Sequence, residues 1–356
     1  MSDARIDPAL VLGIETSCDE TAAAVVDDRG LVLGAAVATQ HELHEEYGGV
    51  VPEIASRAHL ERVLPVIRRA LDLAGIGLDR LDAVAVGNRP GLIGALLVGT
   101  SAAKGLALGL DRPFLGVDHV HAHLVSGLLA ENEHSIPPAP RLPALGLVLS
   151  GGHTSIYEID DLVSPRPLGR TIDDAIGEAF DKVAALLGLG HPGGPEVEKI
   201  AAQGDPNAHD FPVANLGRDR LDFSYSGLKT AVRYAALGVP GRDPEPTAPL
   251  DEQRRADLAA SFQKAAIAAV RRNLRRAIVA RPEARTLLVG GGVVANRAVR
   301  TMLEIEAEKA GLELRMPTPA FSQDNGAMIA LLGAMRLTRG ERDEFSLAPA
   351  ATTRST

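Results

Sequence analysis

The sequence predicts an α/β protein built as a duplicated pair of lobes, and three observations lead there. Strand and helix patterns alternate along the chain. The order strand hairpin, strand, helix, strand, helix, strand, helix occurs twice. Glycine-rich turns follow strands in both halves. Ligands of such α/β sheets sit beyond the strand ends, so a ligand cleft between the two lobes is expected. The first lobe is assigned to residues 1–140 and the second to 141–340. An exposed insertion, rich in Pro, Gly and charge, occupies 238–254, and the polar tail 341–356 reads as disordered.

In the first half, "LVLGIET" at 10–16, "TAAAVVDD" and "LVLGAAVA" read as three strands divided by turns. A helix is expected over Pro52–Ala74, with Ile54, Leu60, Leu64, Ile67 and Leu71 as its apolar row. "DAVAVG" at 82–87 is a buried strand, "PGLIGALLVGTSAAKGLALG" starts a helix, and "PFLGVD" at 113–118 is the next strand. The second half opens with two strands around a Gly-Gly turn at 144–159. Helices follow, one starting at Asp173–Asp174, one after Pro195, and one over Ala256–Ala280 with Leu258, Phe262, Ala266, Val270, Leu274 and Ile278 in a row. A strand at 286–293, a helix, the strand "LELRMP" and a last helix from Asp324 complete it.

Composition narrows the function classes. The chain has 356 residues, is 46% hydrophobic and carries a net charge of −9, which argues against unaided nucleic-acid binding. No apolar run is expected to span a membrane, and no apolar signal core follows the first residues. With a single cysteine, Cys18, a reducing, cytoplasmic setting is the simplest expectation.

"DHVHAH" at 118–123 places His119 and His123 at i and i+4, on one helical face, which suits two imidazoles on one metal and equally suits ordinary surface or core histidines. His121 points elsewhere, and Asp118 reads as the helix N-cap. Asp324 in "SQDNGAMIA" is either another N-cap or a carboxylate that converges on the histidines from the other lobe. "VLSGGHT" (148–154) and "VGGGVVANR" (289–297) are glycine turns that let backbone N–H groups approach phosphate; neither is a Walker A loop. Asn296 caps its helix or touches a ligand. Asp174, Glu178 and Asp181 form an acidic face, and Asp181 near "HPGGP" also suits a ribose diol. No nucleophile stands out: Asp19 and Glu20 would raise Cys18, and Ser150 lacks the glycine of a nucleophile elbow. Arg271, Arg272, Arg275 and Arg276 make a basic stripe, a solvated face or a phosphate contact.

Nine ordered motifs, "GIETSCDET", "GGVVPEIASRAH", "HVHAH", "LSGGHT", "DDAIGEAFDK", "PGGP", "DFSYSGLKT", "GGVVANR" and "DNGAMIA", resemble the bacterial tRNA N6-adenosine threonylcarbamoyltransferase family, formerly called O-sialoglycoprotein endopeptidase. The resemblance runs from about residue 10 to 338. It implies the two-lobed fold of the actin, Hsp70 and sugar-kinase type. It implies transfer of a threonylcarbamoyl group from threonylcarbamoyl-AMP to N6 of the adenosine 3′ of the anticodon, in tRNAs reading codons that begin with adenine. It makes His119, His123 and Asp324 ligands of one divalent metal, iron first and zinc second. It places Val148, Leu149, Ser150, Gly151, Gly152, Asp181, Gly194, Glu198 and Asn296 against the acyl adenylate. The partners it implies are tRNA, a paralogous subunit without the metal site and a small P-loop ATPase, with no membrane. Two departures stand out: Asn88-Arg89 before "PGL", where a glycine is usual, and His191 where an aromatic is common. A kinase of the same fold and a non-catalytic scaffold are the rival readings. A metalloprotease would need a Glu inside the metal helix, where this chain has Val-His-Ala.

Overall fold

The computed structural model describes residues 7–44, 47, 49–217, 219–242 and 250–353. The chain divides into two compact units, Met1–Ala139 with Met316–Thr356, and Pro140–Arg315.

The first unit holds a five-stranded sheet of β1 (Leu10–Glu15), β2 (Glu20–Asp27), β3 (Val32–Thr39), β4 (Ala83–Arg89) and β5 (Phe114–Asp118), in the order β3-β2-β1-β4-β5. β1 and β2 pair antiparallel, as do β2 and β3, while β1–β4 and β4–β5 are parallel. The short α1 (His41–His44) follows β3. Pro52 opens α2 (Pro52–Ala74), and Gly75, at φ 67°, ends it in the left-handed conformation that glycine adopts freely. α3 (Ile93–Leu110) packs beside α2 and on β4. Side chains alternate across a strand. Leu12 and Ile14 of β1 therefore join Val63, Val66 and Ile67 of α2 in one core.

The other face of this sheet takes α10 (Gly326–Thr338). Residues 316–340, expected in the second lobe, thus belong to the first unit. The reason is steric. α10 is apolar on most sides, and its small residues lie against small residues of the sheet. A Cβ at Gly326 would stand 2.6 Å from the Ala23 backbone, and one at Gly333 would stand 2.5 Å from the Ala85 Cβ. The tail is also ordered where it is described. Asp343 accepts from Gly116 N at 2.8 Å, Ala350 N donates to Asn88 O at 3.0 Å, and Phe345 stacks on Phe114. Residues 354–356 lie outside the described residues.

The second unit repeats the topology with β6 (Ala144–Leu149), β7 (Thr154–Ile159), β8 (Arg166–Arg170), β9 (Thr286–Gly290) and β10 (Glu313–Arg315), in the order β10-β9-β6-β7-β8. Read from each unit's first strand, order and pairing senses are the same, so the duplication inferred from element order holds. Its helices are α5 (Ile176–Leu186), α6 (Gly193–Ala201), α7 (Ser226–Leu237), α8 (Glu252–Ala280) and α9 (Arg297–Ala310). The row from Leu258 to Leu274 in α8 is buried, and Phe262 meets Phe180 edge-on at 5.0 Å.

Several sequence expectations shift. In α2, Leu60 and Leu64 face solvent, 65% and 58% exposed, and Ala55, Val63, Val66 and Ala70 are buried instead. β8 and α7 carry no alternation or row strong enough to announce them. α5 starts at Ile176 rather than Asp173, and α8 at Glu252, so 252–254 are not insertion. Of the insertion, 243–249 lie outside the described residues. Among the described residues, Ile93–Leu110 is the one helix long and apolar enough to cross a membrane by length and composition, contrary to the expected absence of such a run. It packs against α2 and β4.

Candidate metal centre and glycine-turn site

α4 (His119–Val125) continues directly from β5. Asp118 Oδ1 caps it, accepting from Val120 N at 3.0 Å and His121 N at 3.3 Å. Helical spacing then sets His119 and His123 on one face, ring centroids 4.7 Å apart and nearly perpendicular. Asp324 lies just before α10. It is not the N-cap, because Asn325 takes that role, its Oδ1 accepting from Met328 N at 2.9 Å. The Asp324 carboxylate instead meets the histidines: Oδ1 is 3.2 Å from His123 Nε2 and 3.5 Å from His119 Nε2. All three residues belong to one unit, which corrects the expected convergence from two lobes. α10 brings Asp324 there by packing on the first sheet.

One ligand atom from each of the three lies within 4.8 Å of the others. His123 is fully buried, its Nδ1 without a hydrogen-bond partner and its Nε2 facing only the Asp324 carboxylate. Buried polar atoms are rarely left so, and a cation would satisfy the ring. Two imidazoles and one carboxylate suit a divalent transition metal and leave positions open for substrate. Burial pushes the His123 pKa down, toward the neutral form that ligates. Burial acts on His119 in the same direction, but the Glu15 and Asp324 carboxylates outweigh it and hold it up at about 10, so a cation bound between the rings would displace the Nε2 proton and leave the Nδ1 proton to Glu15. His121 stands outside the group; burial lowers its pKa.

Sequence reasoning missed Glu15. It ends β1 with 1% exposure, its Oε2 2.9 Å from His119 Nδ1 and its Oε1 accepting from Ser17 N at 2.5 Å. The one available signal was a charged residue inside an apolar strand. Asp19, Glu20 and His41 form a second, partly exposed group, with His41 Nε2 3.6 Å from Asp19 and 3.3 Å from Glu20. Burial pushes Glu20 up to about 7, with Asp324 and Asp19 adding to it against His41. The Cys18 thiol is raised by burial first and Asp19 second, so it is no activated nucleophile.

In the second unit the expected adenylate residues lie on β6 and the turn after it, on α5 and α6, and at the residue before α9. Val148 and Leu149 are core residues of β6, with no exposed surface. The turn Ser150–Gly152 follows, and Ser150 Oγ accepts from His153 N at 3.0 Å. The N–H groups of Gly151 and Gly152 make no hydrogen bond among the described residues. α5 abuts this turn: Gly177 N donates to Ser150 O and Glu178 N to Gly151 O, and a Cβ at Gly177 would stand 2.7 Å from Gly151 Cα. Gly291, at φ 100°, crosses the backbone of Leu149 and Ser150. Asp181 Oδ1 accepts from Gly193 N at 2.9 Å, tying α5 to the first turn of α6, where Gly194 stands. Glu198 Oε1 accepts from Arg297 N at 2.9 Å, and Asn296 caps α9 while donating to Gln263. Asp173 and Asp174 do not start α5. Asp173 accepts from Ser224, Tyr225 and Ser226 at the start of α7, and Asp174 binds Lys182 and Lys229.

A family model described as tRNA N6-adenosine threonylcarbamoyltransferase matches residues 31–331. The chain belongs to the tRNA N6-adenosine threonylcarbamoyltransferase family. A protein of that name from Symbiobacterium thermophilum is 48% identical over 342 residues, covering 96% of each chain. One from Rhodopirellula baltica is 47% identical over 345 residues, covering 95% of this chain and 94% of that one. Among solved structures, the T. kodakarensis HypF crystal structure matches at TM-score 0.58 and 18% identity over 93% of this chain and 48% of that one. Component A of the Acidaminococcus fermentans (R)-2-hydroxyglutaryl-CoA dehydratase matches at TM-score 0.51 and 14% identity, over 93% and 99%. These structures show the fold alone, the actin, Hsp70 and sugar-kinase type. As a threonylcarbamoyltransferase-family chain, this one carries the His/His/Asp group within its first unit.

Proposed function

We propose that this chain transfers a threonylcarbamoyl group from threonylcarbamoyl-AMP to N6 of the adenosine 3′ of the anticodon, in tRNAs that read codons beginning with adenine. The observation that carries the reading is the buried His119, His123 and Asp324 group in a chain of this family. These residues would hold one divalent metal, iron first and zinc second. Bound there, the metal supplies a template and a Lewis acid for the acyl group.

The remaining work falls to the chain. Gly151 and Gly152 offer backbone N–H groups of the kind that receive a phosphate, while the Ser150 N–H donates to His153 O. Asp181, which binds Gly193 N beside Gly194, and Glu198, which binds Arg297 N beside Asn296, are with Gly194 and Asn296 the candidates for the nucleoside, with Asp181 on the ribose. The N6–C bond forms as the carbamoyl carbon's bond to the AMP phosphate oxygen breaks, AMP leaves as its phosphate and the N6 proton passes to solvent, so no protein nucleophile is required. The raised thiol of Cys18 agrees with that.

The partners follow the resemblance: tRNA, a paralogous subunit without the metal site, and a small P-loop ATPase, all in the cytoplasm. On the adjacent helices α2 and α3, Leu60, Leu64, Ile93 and Leu97 are exposed apolar side chains, which supports docking of the paralogue there. A kinase of the same fold would use the glycine turns and leave the His/His/Asp group without a task.

Mass spectrometry of tRNA nucleosides from the host depleted of this protein tests the proposal. Threonylcarbamoyladenosine should fall as the unmodified adenosine rises. Unchanged modification would reject it.

A further inference from the structure

We infer that Glu15 is the positioning residue of the metal centre: its carboxylate fixes His119 with the proton on Nδ1 and aims Nε2 at the space shared with His123 and Asp324. The inference rests on the metal reading of those three residues.

The geometry is asymmetric. His119 presents Nε2 toward Asp324 Oδ1, at 3.5 Å, while its Nδ1 lies 2.9 Å from Glu15 Oε2. A ring whose outer nitrogen donates to a carboxylate keeps the other nitrogen as a lone pair for a metal, and its orientation is set by that bond. Glu15 is itself held. Ser17 N donates to its Oε1 at 2.5 Å, so the carboxylate cannot swing away from the histidine. The opposing strand makes room for it: a Cβ at Gly87 would lie 2.5 Å from Glu15 Oε2. A carboxylate with 1% exposure, on a strand otherwise filled with apolar side chains, is costly unless something charged is set by it. His123 has no such support, since its Nδ1 is buried without a hydrogen-bond partner. One ligand is therefore oriented by a carboxylate and the other by packing alone. Ser17 Oγ, 3.3 Å from His119 Nδ1, is the competing orienting group.

The test uses zinc as the probe, measured by competition with a chelator, together with proton NMR of the His119 Nδ1–H in the zinc-loaded full chain. Glu15→Gln keeps an acceptor and loses the charge. It should weaken zinc binding about 10–100-fold and move the Nδ1–H resonance upfield as the charge-assisted bond is lost. Ser17→Ala should leave both readings near wild type. Should Glu15→Gln fail to fold, Glu15→Asp withdraws the same charge by one methylene and should weaken zinc and shift the resonance in the same way. Wild-type affinity together with an unmoved resonance in the Glu15 variants overturns the inference, as does a loss confined to Ser17→Ala. A His119→Ala protein that binds zinc as tightly as wild type overturns the metal centre itself, a result distinct from either.

Discussion

His123 is fully buried with its Nδ1 unpartnered and its Nε2 against Asp324 alone, a position that costs stability unless a ligand repays it. His123→Leu should therefore abolish metal retention while melting no lower than the metal-free wild type, because an apolar side chain of similar size removes a buried, unpartnered nitrogen. Elemental analysis beside a melting curve reads both; unchanged metal content would refute the assignment. Glu20 gives a pH-dependent prediction. Burial and the neighbouring Asp324 and Asp19 carboxylates lift it to about 7. A carboxyl whose folded pKa lies above its unfolded value stabilises less as pH rises, so stability should fall between about pH 4.5 and 7. Glu20→Gln should remove that slope and stabilise the protein at pH 8 by on the order of 1 kcal/mol, once the lost pairing with His41 is counted. Denaturant midpoints at pH 5 and 8 decide it. At this scale the sequence was legible where residue type and spacing act locally. His119 and His123 show in the i, i+4 pattern, but Glu15 is joined to His119 only because β1 and β5 flank β4. Spacing along the chain carries no trace of that.

Between elements, the contact that builds the metal centre is α10 on the first sheet. Its fit depends on missing side chains. A Cβ at Gly13 would meet the backbone of Gly326 and Ala330, neither of which can rotate aside. Gly13→Ala should destabilise the fold by about 1–3 kcal/mol and displace Asp324, lowering metal affinity as well; a variant with normal stability would mean that the helix is seated otherwise. Asp174 sets a second relation between elements, since it binds Lys182 of α5 and Lys229 of α7. Burial opposes its ionised form, but the two lysines prevail and hold its pKa below the ordinary value. A depressed carboxyl stabilises above its unfolded pKa and loses that contribution as pH falls through the folded one. Asp174→Asn should thus cost about 1.5 kcal/mol near pH 7, a cost that shrinks as pH falls below the ordinary carboxylate range. Helix α7 itself went unread because its row, Leu228, Val232 and Ala236, is short and narrow. The misjudged face of α2 has a different cause. Leucine at helical spacing marks an apolar stripe, and here a stripe of small and branched residues lies against the sheet while Leu60 and Leu64 stay outside.

Over the whole molecule, duplication was legible because each unit repeats one order of strands. The owner of α10 was not, since chain order cannot say on which sheet a terminal helix settles. Charge is the other property of the whole. At −9 the chain has few places to meet a polyanion, and the four arginines of α8 looked like one. The structure gives three of them other work. Arg275 pairs with Glu306 through two bonds at 2.6 and 2.7 Å, Arg272 donates to Ala214 O, and Arg276 donates to Gly217 O at 3.1 Å. Arg272 and Arg276 therefore fasten the segment around 214–217 to α8. Replacing both with Gln should lower the melting temperature and leave the salt dependence of tRNA association as it was. Counterion release makes the alternative measurable: each tRNA phosphate that is no longer neutralised would reduce the slope of log K against log salt by about 0.7–0.9. A slope reduced by that amount, with an unchanged melting temperature, would return these arginines to the RNA. An unchanged slope requires the positive surface for tRNA to come from other residues or from a partner, as the net charge already suggests.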